Sequence, residues 1–139
     1  MKEINEIYLP RIAGEKPTFC HIIYIEQTPI GLIQTYQMDD YPDHKKAIDY
    51  KDNAVSVDLF IGNQDFLHKG YGEFIIKKFL KEIAFKQFKV EKCIIAPDPK
   101  NVAAIRAYEK VGFKHFKTVR NTEDGNFEYL MKLNRQELI

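Results

Sequence analysis

Apolar residues recur along the chain with two different periods, and the changes of period mark its elements. Ile4, Ile7, Tyr8 and Ile12 fall at helical spacing and Gly14 stops the pattern, which predicts an opening helix over Lys2–Ala13. Phe19–Glu26 and Ile30–Met38 are rich in β-branched and aromatic residues and flank Gln27-Thr28-Pro29, a hairpin signal. Asp39–Asn53 is polar and without period, so it reads as irregular. AVSVDLFI at Ala54–Ile61 predicts a third strand, followed by a loop over Gly62–Lys69. From Gly70 a helix begins: Phe74, Ile75, Phe79, Leu80, Ile83 and Ala84 form one apolar stripe, with Lys77, Lys81 and Lys86 off it. Cys93–Ala96 is a short apolar strand ended by Pro97-Asp98-Pro99. Asn101–Lys110 is a second amphipathic helix, closed by Gly112. Phe113–Arg120 and Phe127–Leu133 predict two strands joined by a turn holding Asp124-Gly125. The expected class is α/β (α+β), a mixed sheet with helices packed on it, forming one domain over residues 1–139.

Composition narrows the function. The formal net charge of +1 gives no global field for nucleic acid or an anionic membrane, and no clustered basic motif is present. The Lys-rich side of the helix after Gly70 reads as a solvated face. No apolar run approaches the ~20 residues of a membrane span, and the mixed-charge amphipathic start does not resemble a signal peptide. Cys20 and Cys93 lie in apolar runs, as buried free thiols do, which fits a cytoplasmic setting. His21, His44, His68 and His115 form no ligand spacing, so no metal is expected.

Three features carry candidate chemistry. The turn His68-Lys69-Gly70-Tyr71-Gly72 joins a loop to a helix, where glycines allow close backbone approach and free N–H groups attract phosphate. It fits neither the Walker nor the G-x-G-x-x-G spacing; taken alone, two such glycines are more often a plain turn. Asp58 stands within an apolar strand, where a carboxylate is costly unless it is paired or working. It could anchor a cationic amine or take its proton, or it could be a structural aspartate bonded by a neighbouring loop. Tyr108 sits near the end of the second helix; it could be plain core, or its phenol, with a pKa near ~10, could protonate a leaving thiolate.

The glycine turn and NVAAIRAYEKVGF at Asn101–Phe113, about thirty residues apart, together resemble the GNAT acetyltransferases. The resemblance implies that Lys69, Gly70, Tyr71 and Gly72 bind the pyrophosphate of coenzyme A, with Asn101 also on the cofactor side. It implies that the strand Asp58–Ile61, through Leu59, Phe60 and Ile61, pairs with the pantetheine arm, and that Tyr108 protonates the departing thiol. The family often carries Arg or Gln where this chain has Leu67. EIYLPRIAGEKP, PIGLIQTYQ, VDLFIG, KGYG, PDPKNVAAIRAYEKVGF and EDG are similar to the aminoglycoside 6'-N-acetyltransferases nearly end to end. That likeness makes Asp58 the substrate or base carboxylate and Asp98 and Asp124 substrate-binding candidates. The acid-rich run Asp39, Asp40, Asp43, Asp49 and Asp52 would suit a polycationic acceptor, though Lys45, Lys46 and Lys51 dilute it.

The expected activity is therefore direct transfer of acetyl from acetyl-coenzyme A, as co-substrate, to a primary amine of a cationic small molecule, an aminoglycoside first. Two readings stand beside it: acylation of a hydroxylysine derivative in siderophore synthesis, and a catalytically weak coenzyme A-binding domain. Relative to the family fold the chain is expected to lack the usual first strand and helix. The strand Phe19–Glu26 would then be a sheet edge, covered by the helix Lys2–Ala13 or by a second subunit in a homodimer.

Overall fold

The computed structural model describes residues 4–10, 18–62 and 70–138. Lys69 and the rest of the predicted loop, His68 included, lie outside the described residues. Seven strands make one sheet in the order β1-β2-β3-β4-β5-β7-β6. They are β1 Ile4–Pro10, β2 Phe19–Ile25, β3 Thr28–Gln37, β4 Val55–Ile61, β5 Lys92–Ile95, β6 Lys114–Arg120 and β7 Phe127–Asn134. All neighbours are antiparallel except β4 and β5, which run parallel and pair only through Val55↔Cys93 and Ser56↔Ile94.

The opening segment corrects the sequence expectation. Ile4–Pro10 is a strand and not part of a helix, and it pairs with β2 from Ile4↔Ile25 to Pro10↔Phe19. A proline within the helical pattern argued against a helix, and an apolar neighbour edge with unpaired backbone groups supplied the alternative. The run Phe19–Ile25 is thus interior to the sheet, and the reason for covering it with a helix or with a second subunit is removed.

Asp39–Asn53 is also more ordered than its composition implied. It forms a 3₁₀ turn at Met38–Asp40 and a short helix, α1 Pro42–Ala47, with proline in its first turn, a position that needs no N–H. Its acids are largely spent on lysines: Asp39 pairs with Lys45 at 2.5 Å, Asp52 with Lys92, and Asp49 with Lys117 at 3.9 Å. Ile48 and Tyr50 of this segment, with Met38 and Ala54 at its two borders, pack with Ile94 and Leu130 as a small core on one face of the sheet.

The main core lies on the other face. Helix α2 Tyr71–Phe79 continues through a π-turn at Leu80–Ala84 into a last turn, α3 Phe85–Gln87. Of its predicted stripe Ile75, Phe79, Leu80 and Ala84 are buried, with Ile76 beside them, against Ile23, Ile33, Val55, Val57 and Met131, while Phe74 and Ile83 are partly buried. Helix α4 Val102–Val111 lies beside α2, capped at its start by the Asn101 side chain, which accepts from Ala104 N–H at 3.1 Å, and ended by Gly112 at φ +122°. Among the described residues no helix is long and apolar enough to cross a membrane.

Candidate active site

β4 and β5 part company after Ser56↔Ile94, because β5 ends at Ile95 and the Pro97-Asp98-Pro99 turn leads away to α4. From Val57 on, the edge of β4 that faces β5 has no described ladder partner, while its other edge stays paired to β3 as far as Gly31↔Ile61. That split opens a cleft of about 530 Å³, bounded by Leu59, Phe60 and Ile61 on β4, by the start of α2 and by one face of α4. The predicted cofactor residues Gly70, Tyr71, Gly72 and Asn101 all line it, as does Tyr108.

The local backbone explains why these residues sit there. Gly70 precedes α2 with φ +80°, a left-handed conformation that glycine adopts at little cost, and a Cβ placed on it would meet nothing within 4 Å. The N-cap glycine has no side chain to cap this helix start, and helix-start N–H groups are well placed to meet an anion. On the opposite strand pair, a Cβ on Gly31 would lie 2.2 Å from the Phe60 carbonyl oxygen. Gly31 therefore permits the close approach of β3 that holds β4 in place beside the cleft. Two cations missed in the sequence, Arg106 and Lys110, also line the cleft. They are four residues apart on α4, so they share a face with each other and with Ala103 and Ala107; that spacing was the available signal.

Tyr108 is 7% exposed, and its ring stands edge-on to Phe113 at 6.2 Å. Burial, and then the charge of Asp58, push its phenol up to about 12. It is a protonated donor throughout the neutral range. Asp58 lies on the other face of β4, open to the outside but flanked by protein. Loss of water raises its carboxyl pKa first, the Glu128 carboxylate raises it further, and His44 pulls it down. Cys93 is fully buried, and that burial drives its thiol far above the usual range, so it offers no thiolate.

The other predicted substrate residues are engaged locally. Asp98 accepts from Lys100 N–H at 2.8 Å, and Asp124 accepts from Asn126 N–H at 2.8 Å. Each closes a turn of its own loop, and neither borders the cleft; the groups that share the electrostatic surroundings of Asp58 are Tyr36, His44, Cys93, Glu128 and Tyr108. Glu128 was missed because 70 residues of sequence separate it from Asp58 and only the sheet order joins them.

The sequence matches the acetyltransferase (GNAT) domain family over residues 1–121. The chain belongs to the GNAT acetyltransferase family. It is 30% identical over 132 residues to the aminoglycoside N(6')-acetyltransferase type 1 of Klebsiella pneumoniae, an alignment covering 95% of this chain and 65% of that protein. It is 37% identical over 76 residues to a kanamycin resistance protein of Rhizobium radiobacter, covering 55% of this chain and 68% of that one. Its fold superposes on aminoglycoside acetyltransferase AAC(6')-Ib, solved with coenzyme A and kanamycin, with a TM-score of 0.77 and 28% identity over 93% of this chain and 73% of that chain. The chain spans about two thirds, 65%, of the length of the first of these relatives.

Proposed function

We propose that the chain transfers acetyl from acetyl-coenzyme A to a primary amine of a cationic small molecule, with an aminoglycoside as the first candidate. The observation that carries the reading is the edge of β4 beyond Ser56, without a ladder partner among the described residues, opening on a cleft that leads to the glycine-led start of α2. A pantetheine arm is extended and amide-bearing, so it suits such an edge as an added strand would. Its pyrophosphate suits the first-turn amides after Gly70, with Arg106 and Lys110 supplying positive charge across the cleft. Lys69 keeps its place in this reading from the sequence alone.

In the proposed reaction the acceptor ammonium first loses a proton to Asp58, directly or through water. The amine nitrogen attacks the thioester carbonyl and gives up its second proton to water as the carbon–sulfur bond breaks; the leaving sulfur takes its proton from Tyr108, whose phenolate is reprotonated from water. Amide and free thiol are the products, and no acyl-enzyme is formed. A carboxylate whose pKa is already raised is a better base than an ordinary one, and a buried phenol is a donor held in its neutral form. Asp98 and Asp124, bonded within their own turns, are secondary candidates for the rim of the acceptor site.

The aminoglycoside candidate draws support from the relatives named above. Release of free thiol from acetyl-coenzyme A, measured against a panel of aminoglycosides, simple amines and hydroxylysine, tests the reading. Turnover led by the aminoglycosides is expected. Preference for hydroxylysine would move the chain to the siderophore-type activity. Absence of coenzyme A binding at millimolar ligand would remove the acetyltransferase reading altogether.

A further inference from the structure

The face of the sheet turned away from α2 and α4 carries polar groups that the transfer itself does not use. Pairing shows which residues share that face. Gln34 lies opposite Asp58 and Tyr36 opposite Ser56; Ser56 pairs with Ile94, and Ile94 with Lys132. Side chains alternate along a strand, so Leu130 and Glu128 of β7 share the face of Lys132, Ile94 and Asp58. The packing agrees: Met38, Ile94 and Leu130 form the small core, with Tyr36, Ala96 and Val119 against it. Asp58 and Glu128 thus stand above one apolar floor, on strands separated by the short β5.

Glu128 is held in position. Its Oε2 accepts from Asn121 Nδ2 at 2.6 Å, and Asn121, only 4% exposed, is fixed in turn by accepting from Glu123 N–H at 2.8 Å. Among the described residues neither Asp58 nor Glu128 belongs to an ion pair. His44 of α1, whose ring lies 6.2 Å from that of Tyr36, is the cation-forming group that lowers the cost of ionising Asp58. Two carboxylates on one face of the sheet, close enough to act on each other's ionisation, repel, and a single ammonium balances only one of them. The Tyr36 ring, set edge-on to Tyr41 at 4.8 Å, adds an aromatic wall on the β3 side.

We propose that Glu128 is a specificity residue that holds a second, non-reacting ammonium of the acceptor while the reacting amine sits at Asp58. The enzyme then selects diamines over monoamines. The inference rests on the acetyltransferase reading and names the feature of the acceptor that it recognises. A dication matches both carboxylates, and the Tyr36 face adds a weak attraction for a cation placed beside it.

The test compares wild type, Glu128→Gln and Glu128→Asp on short diaminoalkanes and on amino alcohols of equal chain length. Glutamine keeps an acceptor for Asn121, so the fold should survive, and coenzyme A affinity verifies it. Wild type is expected to favour the diamine by about tenfold or more in kcat/KM, an interaction of ordinary size for a charged pair. Glu128→Gln should collapse that ratio through KM rather than kcat, and Glu128→Asp should restore part of it.

The acid limb of kcat/KM for the amino alcohol supplies a second readout. The groups acting on Asp58 are Glu128 of β7 and His44 of α1, and Asp58 in turn acts on Tyr36, Cys93 and Tyr108. Removing the Glu128 charge should move the limb to lower pH, which a purely structural role would not do. An unaltered diamine preference in Glu128→Gln, or an equal loss on both acceptors with no movement of the limb, overturns the proposal. Coenzyme A binding by wild type without acetylation of any amine instead overturns the acetyltransferase reading, and the proposal with it.

Discussion

Tyr108 and Asp58 sit on opposite sides of β4 and differ in what their surroundings do to them. For Tyr108 burial favours the form that the reaction needs, a neutral phenol. Tyr108→Phe should lower kcat by about 10²- to 10⁴-fold with little change in coenzyme A affinity; a kcat equal to wild type would assign the proton to water. For Asp58 partial desolvation by the flanking protein, and then the Glu128 charge, oppose the form that the reaction needs. A native carboxyl pKa above the unfolded value means that the native state holds its proton more tightly, so ionisation costs stability as pH rises through that interval. Asp58→Asn removes the cost. Activity should fall by about a hundredfold or more, while Tm at neutral pH stays at or slightly above the wild-type value. Any gain should fade below about pH 4, where the unfolded aspartate is protonated as well. Thermal melts of both proteins between pH 3 and pH 8 would check the sign. A variant less stable than wild type at neutral pH would mean that Asp58 is a structural bonding partner.

At the scale of elements, the start of α2 makes the sharpest demand on sequence. Gly70 has open space where a side chain would go, so a substituent there is limited by its backbone conformation and its charge rather than by collision. Asn and Asp both tolerate left-handed backbone better than most residues. Gly70→Asn should therefore weaken coenzyme A binding only mildly, whereas Gly70→Asp should weaken it by about tenfold or more by placing an anion at the phosphate position. Calorimetry on the two variants separates charge from shape, and equal losses would show that the phosphate binds elsewhere. This element was legible in the chain because its signals are local: a glycine turn followed at once by an apolar stripe. The same holds for α4, whose cap and stop, Asn101 and Gly112, stand next to the helix they bound. Helix α1 was hidden because its six residues present no full apolar period, and its order comes from Met38, Ile48 and Tyr50 packing on a distant strand. The acceptor side was hidden for a related reason. Asp98 and Asp124 lie in motifs that invite assignment, yet each is occupied by its own turn. Glu128 lies in no motif and reaches the surroundings of Asp58 only through the β4-β5-β7 order.

At the scale of the whole molecule, the two ends of the sheet are unlike. The β6 edge reads KHFKTVR, and its charged residues discourage another strand from adding to it. The other end depends on β1, which pairs with all seven residues of β2. Beneath it, β2 reads FCHIIYI, with Ile23 and Ile25 in the main core, and carries no charge that would keep a second sheet away at neutral pH. Removing residues 1–10 would leave the β2 backbone groups that now meet β1 without partners, along a run of high β-propensity. The sheet floor would remain, since Ile23 and Ile25 are held from the β3 side and by α2. The shortened chain is therefore expected to fold but to self-associate, through β2 pairing with β2 about a two-fold axis or through open-ended aggregation. Sedimentation at micromolar concentration should show a shift to dimers or larger species relative to the full chain. Tyr24→Lys in the shortened chain should reverse it, because an edge lysine costs little in one copy and repels in two. A shortened chain that sediments as a monomer, with amide exchange along β2 as slow as in the full protein, would show that β1 is not what protects that edge.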